Sequence, residues 1–215
     1  MTNILGNKNS LVDQFIAELR DVDVQNDPLR FRRNLERLGE IFAYEVSKQL
    51  EWEKTEVVTP LGIAFVPKLV DQPVLGTILR AGLPFHNGML NYFDRAENCF
   101  ISAYRRHHKD GTFDVHVEYL ACPSLQDKTL ILCDPMMATG TSLVLSYKAM
   151  IKKGIPKHTH IVAVLASGEA IDYVKKHMPT NITLWVGAVD EELTAQSYIV
   201  PGLGDAGDLA FGVKI

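Results

Sequence analysis

Cysteine is scarce in this chain, with only Cys99, Cys122 and Cys133 among 215 residues. Three are too few and too scattered for a disulfide framework or a zinc ribbon, and they point to a reducing cytoplasm. No stretch approaches the roughly 18 consecutive apolar residues of a membrane span, and residues 1–20 hold no signal-peptide core. A large excess of one charge is also missing. The net charge of −4 argues against a general nucleic-acid or membrane-surface binder, while leaving room for a local basic pocket. No internal repeat, linker or low-complexity segment is visible. What is present is ordinary: 47% hydrophobic and 22% charged residues, at a length that suits one domain, 1–215, with its own core.

The chain is organised around residues 128–144, KTLILCDPMMATGTSLV. Leu130 to Cys133 is a short apolar run, as expected of a central strand buried on both faces. Asp134-Pro135 ends it, because proline brings no N–H to a sheet ladder. A small-residue loop, Ala138-Thr139-Gly140-Thr141-Ser142, then runs into Leu143, Val144 and Leu145. A strand, a tight loop and a helix start make an anion site, where successive N–H groups and the positive helix end converge. The hydroxyls of Thr139, Thr141 and Ser142 can add donors. The plainer reading is a strand-to-helix turn with Ser142 as N-cap. The acid at the strand end favours a ligand instead, and the loop is neither a P-loop nor a dinucleotide turn. A sugar phosphate fits, with loop amides on phosphate and Asp134 on ribose hydroxyls.

Taken in order, Ser10 and Asp13 mark a helix start, followed by Leu11, Val12, Phe15, Ile16 and Leu19 on one face. Asp27-Pro28 opens a second helix, and the N-terminal helices extend over about 10–52. Phe31, Leu35, Leu38, Phe42 and Val46 form its apolar stripe, as core or as subunit contact. Arg32, Arg33, Glu36, Arg37 and Glu40 read as a solvated face. TEVVTPLG at 55–62 is a strand entering a turn. VLGTIL from Val74 is a buried strand closed by Arg80-Ala81-Gly82, where open α/β sheets place ligands. A helix follows at about 83–92.

Strands at 99–104 and 115–120 flank a basic, glycine-containing arm, 105–114, of the length lids have. Its histidine pair lacks metal-ligand spacing, and His158 and His160 read as surface residues. A helix at about 142–153, a strand at 160–165, a helix at 169–177 and a strand at 182–186 complete an alternation that predicts a parallel sheet covered on both faces. The tail, YIVPGLGDAGDLAFG at 198–212, has four glycines and a proline, so no regular helix is expected there. Its backbone can approach a flat ligand.

DPMMATGTS resembles the phosphoribosyl-diphosphate signature of uracil phosphoribosyltransferases, with Met137 for leucine and Thr141 for glycine. The tail resembles that family's uracil-binding segment, with Leu209 for arginine and Val213 for threonine. TEVVTPLG, ILRAGL at 78–83 and Tyr104-Arg105 extend the likeness over nearly the whole chain. Thr141 is tolerable unless that position needs positive φ.

The resemblance implies an α/β phosphoribosyltransferase fold: a central parallel sheet with helices on both faces, a β-hairpin arm and a C-terminal hood. It also implies formation of UMP and diphosphate from uracil and phosphoribosyl diphosphate, with Mg²⁺ held through substrate phosphates and water rather than by a protein metal site. Phosphoribosyl diphosphate would meet Arg80, Arg105, Asp134, Pro135, Met136, Met137, Ala138, Thr139, Gly140, Thr141, Ser142 and Asp205. Uracil would meet Ile199, Gly204, Asp205 and Ala206. Asp134, Arg105 and Asp205 would stand closest to the chemistry, and no residue stands out as the general base. A homodimer or higher homo-oligomer in the cytoplasm is expected, without nucleic-acid or membrane partners. A non-catalytic regulator of the same fold is the alternative, resting on Leu209 and Val213 alone. An RNA-binding attenuator is disfavoured by the acidic balance.

Overall fold

The computed structural model of the chain describes residues 1–107 and 113–214, with side chains described outside 103–117. The chain begins with a short strand, β1 (Thr2–Ile4), and two helices, α1 (Leu11–Arg20) and α2 (Pro28–Ser47). Ser10 caps α1 in a reciprocal capping box with Asp13. Hydrogen bonds from the Ser10 and Asn7 amides lower the Asp13 pKa. Asp27 caps α2, with Pro28 at its first position. Both starts lie where the residue types place them.

An antiparallel ribbon, β2 (Trp52–Thr59) and β3 (Gly62–Leu69), comes next. The remaining elements alternate: β4 (Val74–Leu79), α3 (Gly82–Tyr92), β5 (Glu97–His107), β6 (Phe113–Ala121), β7 (Thr129–Cys133), β8 (Met136–Met137) and α4 (Thr141–Met150). A 3₁₀ turn at Ile151–Lys153, β9 (His158–Ser167), α5 (Gly168–His177) and β10 (Ile182–Asp190) follow. Short strands β11 (Glu192–Leu193) and β12 (Ile199–Val200) lead to α6 (Ala206–Phe211). The main sheet runs β1-β10-β9-β7-β4-β5-β6, with β8 beside β9. Every pairing is parallel except β5 with β6, so the expected parallel sheet carries one antiparallel edge.

Alternate residues of the central strands enter different cores, which is why those strands read as unbroken apolar runs. Ile131, Cys133, Val162 and Val164 join α1, α2, α3 and the tail on one face. Leu130, Leu132, Ile161 and Ala163 join α4 and α5 on the other. The α2 stripe of Phe31, Leu35, Leu38, Phe42 and Val46 is entirely buried. It is therefore core rather than a subunit contact. The charged face of α2 is only partly solvated: Arg32 donates to the Ala210 carbonyl at 2.7 Å, and Arg37 lies over the Phe15 ring.

Four expectations need correction. The tail does form a helix, α6, because Asp205 caps it and its glycines stand at or near the ends of a single short turn. His160 is a core residue at 2% exposure. The Trp185 indole donates to its Nδ1 at 3.1 Å, and burial pushes its pKa down to about 3. His158 bonds Thr183 Oγ1 at 3.0 Å. Cys99 and Cys122 form a disulfide, since antiparallel register sets them opposite one another with Cα atoms 4.2 Å apart. Cys133 is free and buried, and burial raises its thiol pKa far above the usual value. Finally, residues 48–52 are not helical, and the first ribbon strand has a full partner, β3, that no alternating pattern announces.

Candidate active site

Three elements converge at the carboxyl ends of β4 and β7. The first is the loop after β7. Asp134 donates its amide to the Val162 carbonyl, and its Oδ1 accepts the Met136 N–H at 3.2 Å, so the acid shapes the turn it opens. Pro135 accepts the Leu165 N–H through its carbonyl, while Met136 and Met137 form β8 and pin the loop to β9. Ser167 holds the far side by donating to the Ala138 carbonyl at 2.6 Å, and its oxygen also caps α5.

Gly140 is the N-cap of α4 at φ 73°, in the left-handed region, and has no side chain to cap the helix; the neighbouring Thr139 hydroxyl accepts the Thr141 N–H at a long 3.4 Å. Ser142, which a plain turn would use as its N-cap, is instead the second residue of the helix. Thr141 is the first, with no positive φ, so a β-branched residue there is unstrained. A cavity of about 40 Å³ lies at this helix start, lined by Asp134, Met137, Ala138, Thr139, Gly140 and Ser142 among others. A ten-residue helix that starts from a glycine N-cap suits an anion. A larger cavity of about 350 Å³ lies at the opposite, amino end of the strands, against Thr129, Lys157, His158 and Thr183, away from this loop.

The second element is Arg80, which follows a cis Leu79-Arg80 peptide. Its Nη2 donates to Asp208 Oδ1 at 2.8 Å and its Nη1 to the Gly212 carbonyl at 3.2 Å. Gly82 beside it leaves no space for a side chain, since a Cβ there would meet Thr77 Oγ1 at 2.2 Å and the Cys133 carbonyl at 3.2 Å. The β4 and β7 ends are thereby drawn together.

The tail is the third. Ile199 is buried and pairs with Leu193, so only its backbone is available to a ligand. Gly204 has φ 94°, and Ala206 is buried at the first position of α6. Asp205 accepts the Asp208 N–H at 2.9 Å, and its other oxygen lies 3.7 Å from Lys214 Nζ. Its visible task is to cap the helix. Arg20, which no motif singles out, holds this segment in place. It donates to both oxygens of Asp190 at 2.7 and 2.8 Å and to the Gly202 carbonyl at 2.9 Å, while Gly202 N–H donates back to Asp190. No local sequence signal links residues 170 positions apart.

Arg105 lies on β5 opposite Val115 by backbone pairing. Its side chain, like those of Arg106 and the rest of the arm, lies outside the described residues. Among the described residues, no group of three or more His, Cys, Asp or Glu could hold a metal ion, and no helix is long and apolar enough to cross a membrane.

A family model described as uracil phosphoribosyltransferase matches residues 6–213. A uracil phosphoribosyltransferase of Porphyromonas gingivalis is 55% identical over 211 residues, covering 98% of each chain. One from Pyrococcus furiosus is 39% identical, covering 94% of this chain and 86% of the relative. The solved structure of the AQ2163 protein of Aquifex aeolicus superposes with a TM-score of 0.87 at 29% identity, over all of both chains.

Proposed function

The chain belongs to the uracil phosphoribosyltransferase family, and on that premise we propose how its residues share the work. The reaction joins uracil N1 to the ribose C1 of phosphoribosyl diphosphate, breaks the C1–oxygen bond to diphosphate, and releases UMP. The glycine-capped start of α4 beside the loop cavity is the observation that carries the reading, because it supplies amides and a positive helix end to the 5-phosphate. Asp134 accepts from the ribose hydroxyls, and Arg80, with Arg105 from the hairpin, meets the diphosphate. The sugar carbon becomes cation-like as the diphosphate departs, so positioning and charge stabilisation are the main contributions. No residue is assigned as base for uracil N1. Nothing favours a non-catalytic regulator.

Mg²⁺ fits as a substrate-borne ion. Asp134 and Asp205, the two carboxylates assigned to phosphoribosyl diphosphate, each already accept a backbone N–H, which leaves them suited to outer contacts rather than a protein cage. When bound, the ion would neutralise charge on the departing diphosphate.

Base choice rests on backbone groups around Ile199, Gly204 and Ala206. Cytosine exchanges an acceptor for a donor at one edge position, and backbone groups cannot adapt. Each mismatch leaves buried groups unpaired at about 1–3 kcal/mol. Turnover of uracil is expected to exceed that of cytosine by about tenfold or more. Comparable cytosine turnover would remove the tail from this role. Gly204→Ala should lower uracil turnover through backbone strain at its positive φ rather than by a clash, because a Cβ there meets nothing nearer than Leu209 Cδ1 at 3.9 Å.

A second copy of this chain is the expected partner, in the same cytoplasmic setting. On the β2–β3 ribbon, Val58 lies opposite Ile63, and Phe65 shares their face. These residues are 80%, 60% and 60% exposed, and Leu61 at the tip is fully exposed. A two-stranded ribbon is marginal in water without a surface to pack on. Size-exclusion chromatography with light scattering should give a dimer or larger for the wild type. Phe65→Asp with Leu61→Asp should lower that mass, and a monomeric wild type would refute the assignment.

A further inference from the structure

We propose that Asp208 is a positioning residue that competes with diphosphate for Arg80, latching the tail to the phosphate side of the site until that anion arrives. The inference rests on the reading of Arg80 as a diphosphate ligand. Both terminal nitrogens of Arg80 are engaged by the tail: Nη2 by the Asp208 carboxylate at 2.8 Å and Nη1 by the Gly212 carbonyl at 3.2 Å. A carboxylate and a carbonyl side by side present the guanidinium with the oxygen pattern of a phosphate edge. The contact spans 128 residues of chain and joins the end of β4 to α6. Gly207 lies in the same contact, where an added Cβ would sit 3.7 Å from Arg80 Nη2.

The same helix carries the segment assigned to the base. The Asp208 carboxylate and the Gly212 carbonyl tie the end of α6 to Arg80, so releasing both frees that end, where the Gly212 N–H donates to the Asp208 carbonyl. On this proposal, diphosphate takes the same Nη1–Nη2 edge that Asp208 and Gly212 hold, so diphosphate and latch oppose one another. By linkage, the factor by which the latch weakens diphosphate binding is the factor by which bound diphosphate weakens the latch. Both partners are partly exposed, at 39% and 27%, which makes the latch weak enough for a dianion to displace.

Asp208→Asn removes the charge while keeping the backbone N–H that Asp205 caps. Inorganic diphosphate with Mg²⁺, titrated calorimetrically, should bind this variant about two- to fivefold more tightly than wild type. Arg80→Ala should weaken binding, and Asp208→Asn should give no gain in the Arg80→Ala background. A variant that is merely less stable would not gain affinity. Equal or weaker binding by Asp208→Asn, with Arg80→Ala still defective, overturns the latch alone. Equal binding by wild type and Arg80→Ala overturns the reading of Arg80 beneath it. Wild-type hydrogen exchange gives a second measurement that needs no variant. Diphosphate should speed exchange at Gly212, and slowed or unchanged exchange there would refute the release of the tail.

Discussion

Asp134→Asn should lower kcat/KM for phosphoribosyl diphosphate about tenfold to a hundredfold while the melting temperature stays within about 2 °C of wild type. Hydrogen bonds from neutral donors to a charged acceptor contribute about 1.5–3 kcal/mol, which sets that range. The fold is spared because asparagine keeps an oxygen for the Met136 N–H, and the Asp134 amide still reaches the Val162 carbonyl. The loop is also held independently by the Ser167 hydroxyl, the Leu165–Pro135 bond and the β8–β9 pairing. Steady-state kinetics at saturating uracil measure the effect. Unchanged kinetics would take Asp134 away from the ribose and leave it a turn residue.

Asp190→Ala acts on stability and then on uracil. The Asp190 side chain is 8% exposed, and it receives two bonds from Arg20 and one from Gly202. The Arg20 side chain is 23% exposed and keeps the Gly202 carbonyl, so losing its charged acceptor costs about 1–3 kcal/mol. At this chain length that lowers the melting temperature by about 2–12 °C. Gly202 loses its tether to β10, so KM for uracil should rise more than KM for phosphoribosyl diphosphate. Equal stability in the variant would mean the pair only decorates the tail.

The pH dependence of this pair has a defined sign. Burial alone raises the Asp190 pKa, but the Arg20 hydrogen bonds and charge, with the Gly202 N–H, outweigh it and leave the carboxyl below its ordinary value of 3.8. A depressed folded pKa contributes stability that is present above the unfolded value and lost as pH falls through the folded one. The stability gap between wild type and Asp190→Asn should therefore be constant near neutrality and close below about pH 4. Urea unfolding at several pH values follows it.

Much of the architecture could be read from local sequence. VLGTIL and TLILC are apolar on both faces because both faces are covered, and each became a central strand. Ser10 with Asp13, and Asp27 with Pro28, carry their helix starts in side-chain chemistry that acts over three residues. The loop at 134–142 belongs to the same class. A strand end, a left-handed glycine and a helix start are contiguous, so one window of sequence contains the whole device. What tertiary structure decided joins residues far apart in the chain. Arg20 with Asp190, Arg80 with Asp208, the Trp185 bond that makes His160 a core residue, and the register that pairs Cys99 with Cys122 have no local periodicity to announce them. The tail shows the division within one segment. Its glycines argue against a regular helix, yet a short one forms through the Asp205 cap and packing under α2, where Arg32 donates to the Ala210 carbonyl. A local window encodes propensity and capping; the register and packing that bring distant side chains together arise only when the sheet closes and buries them.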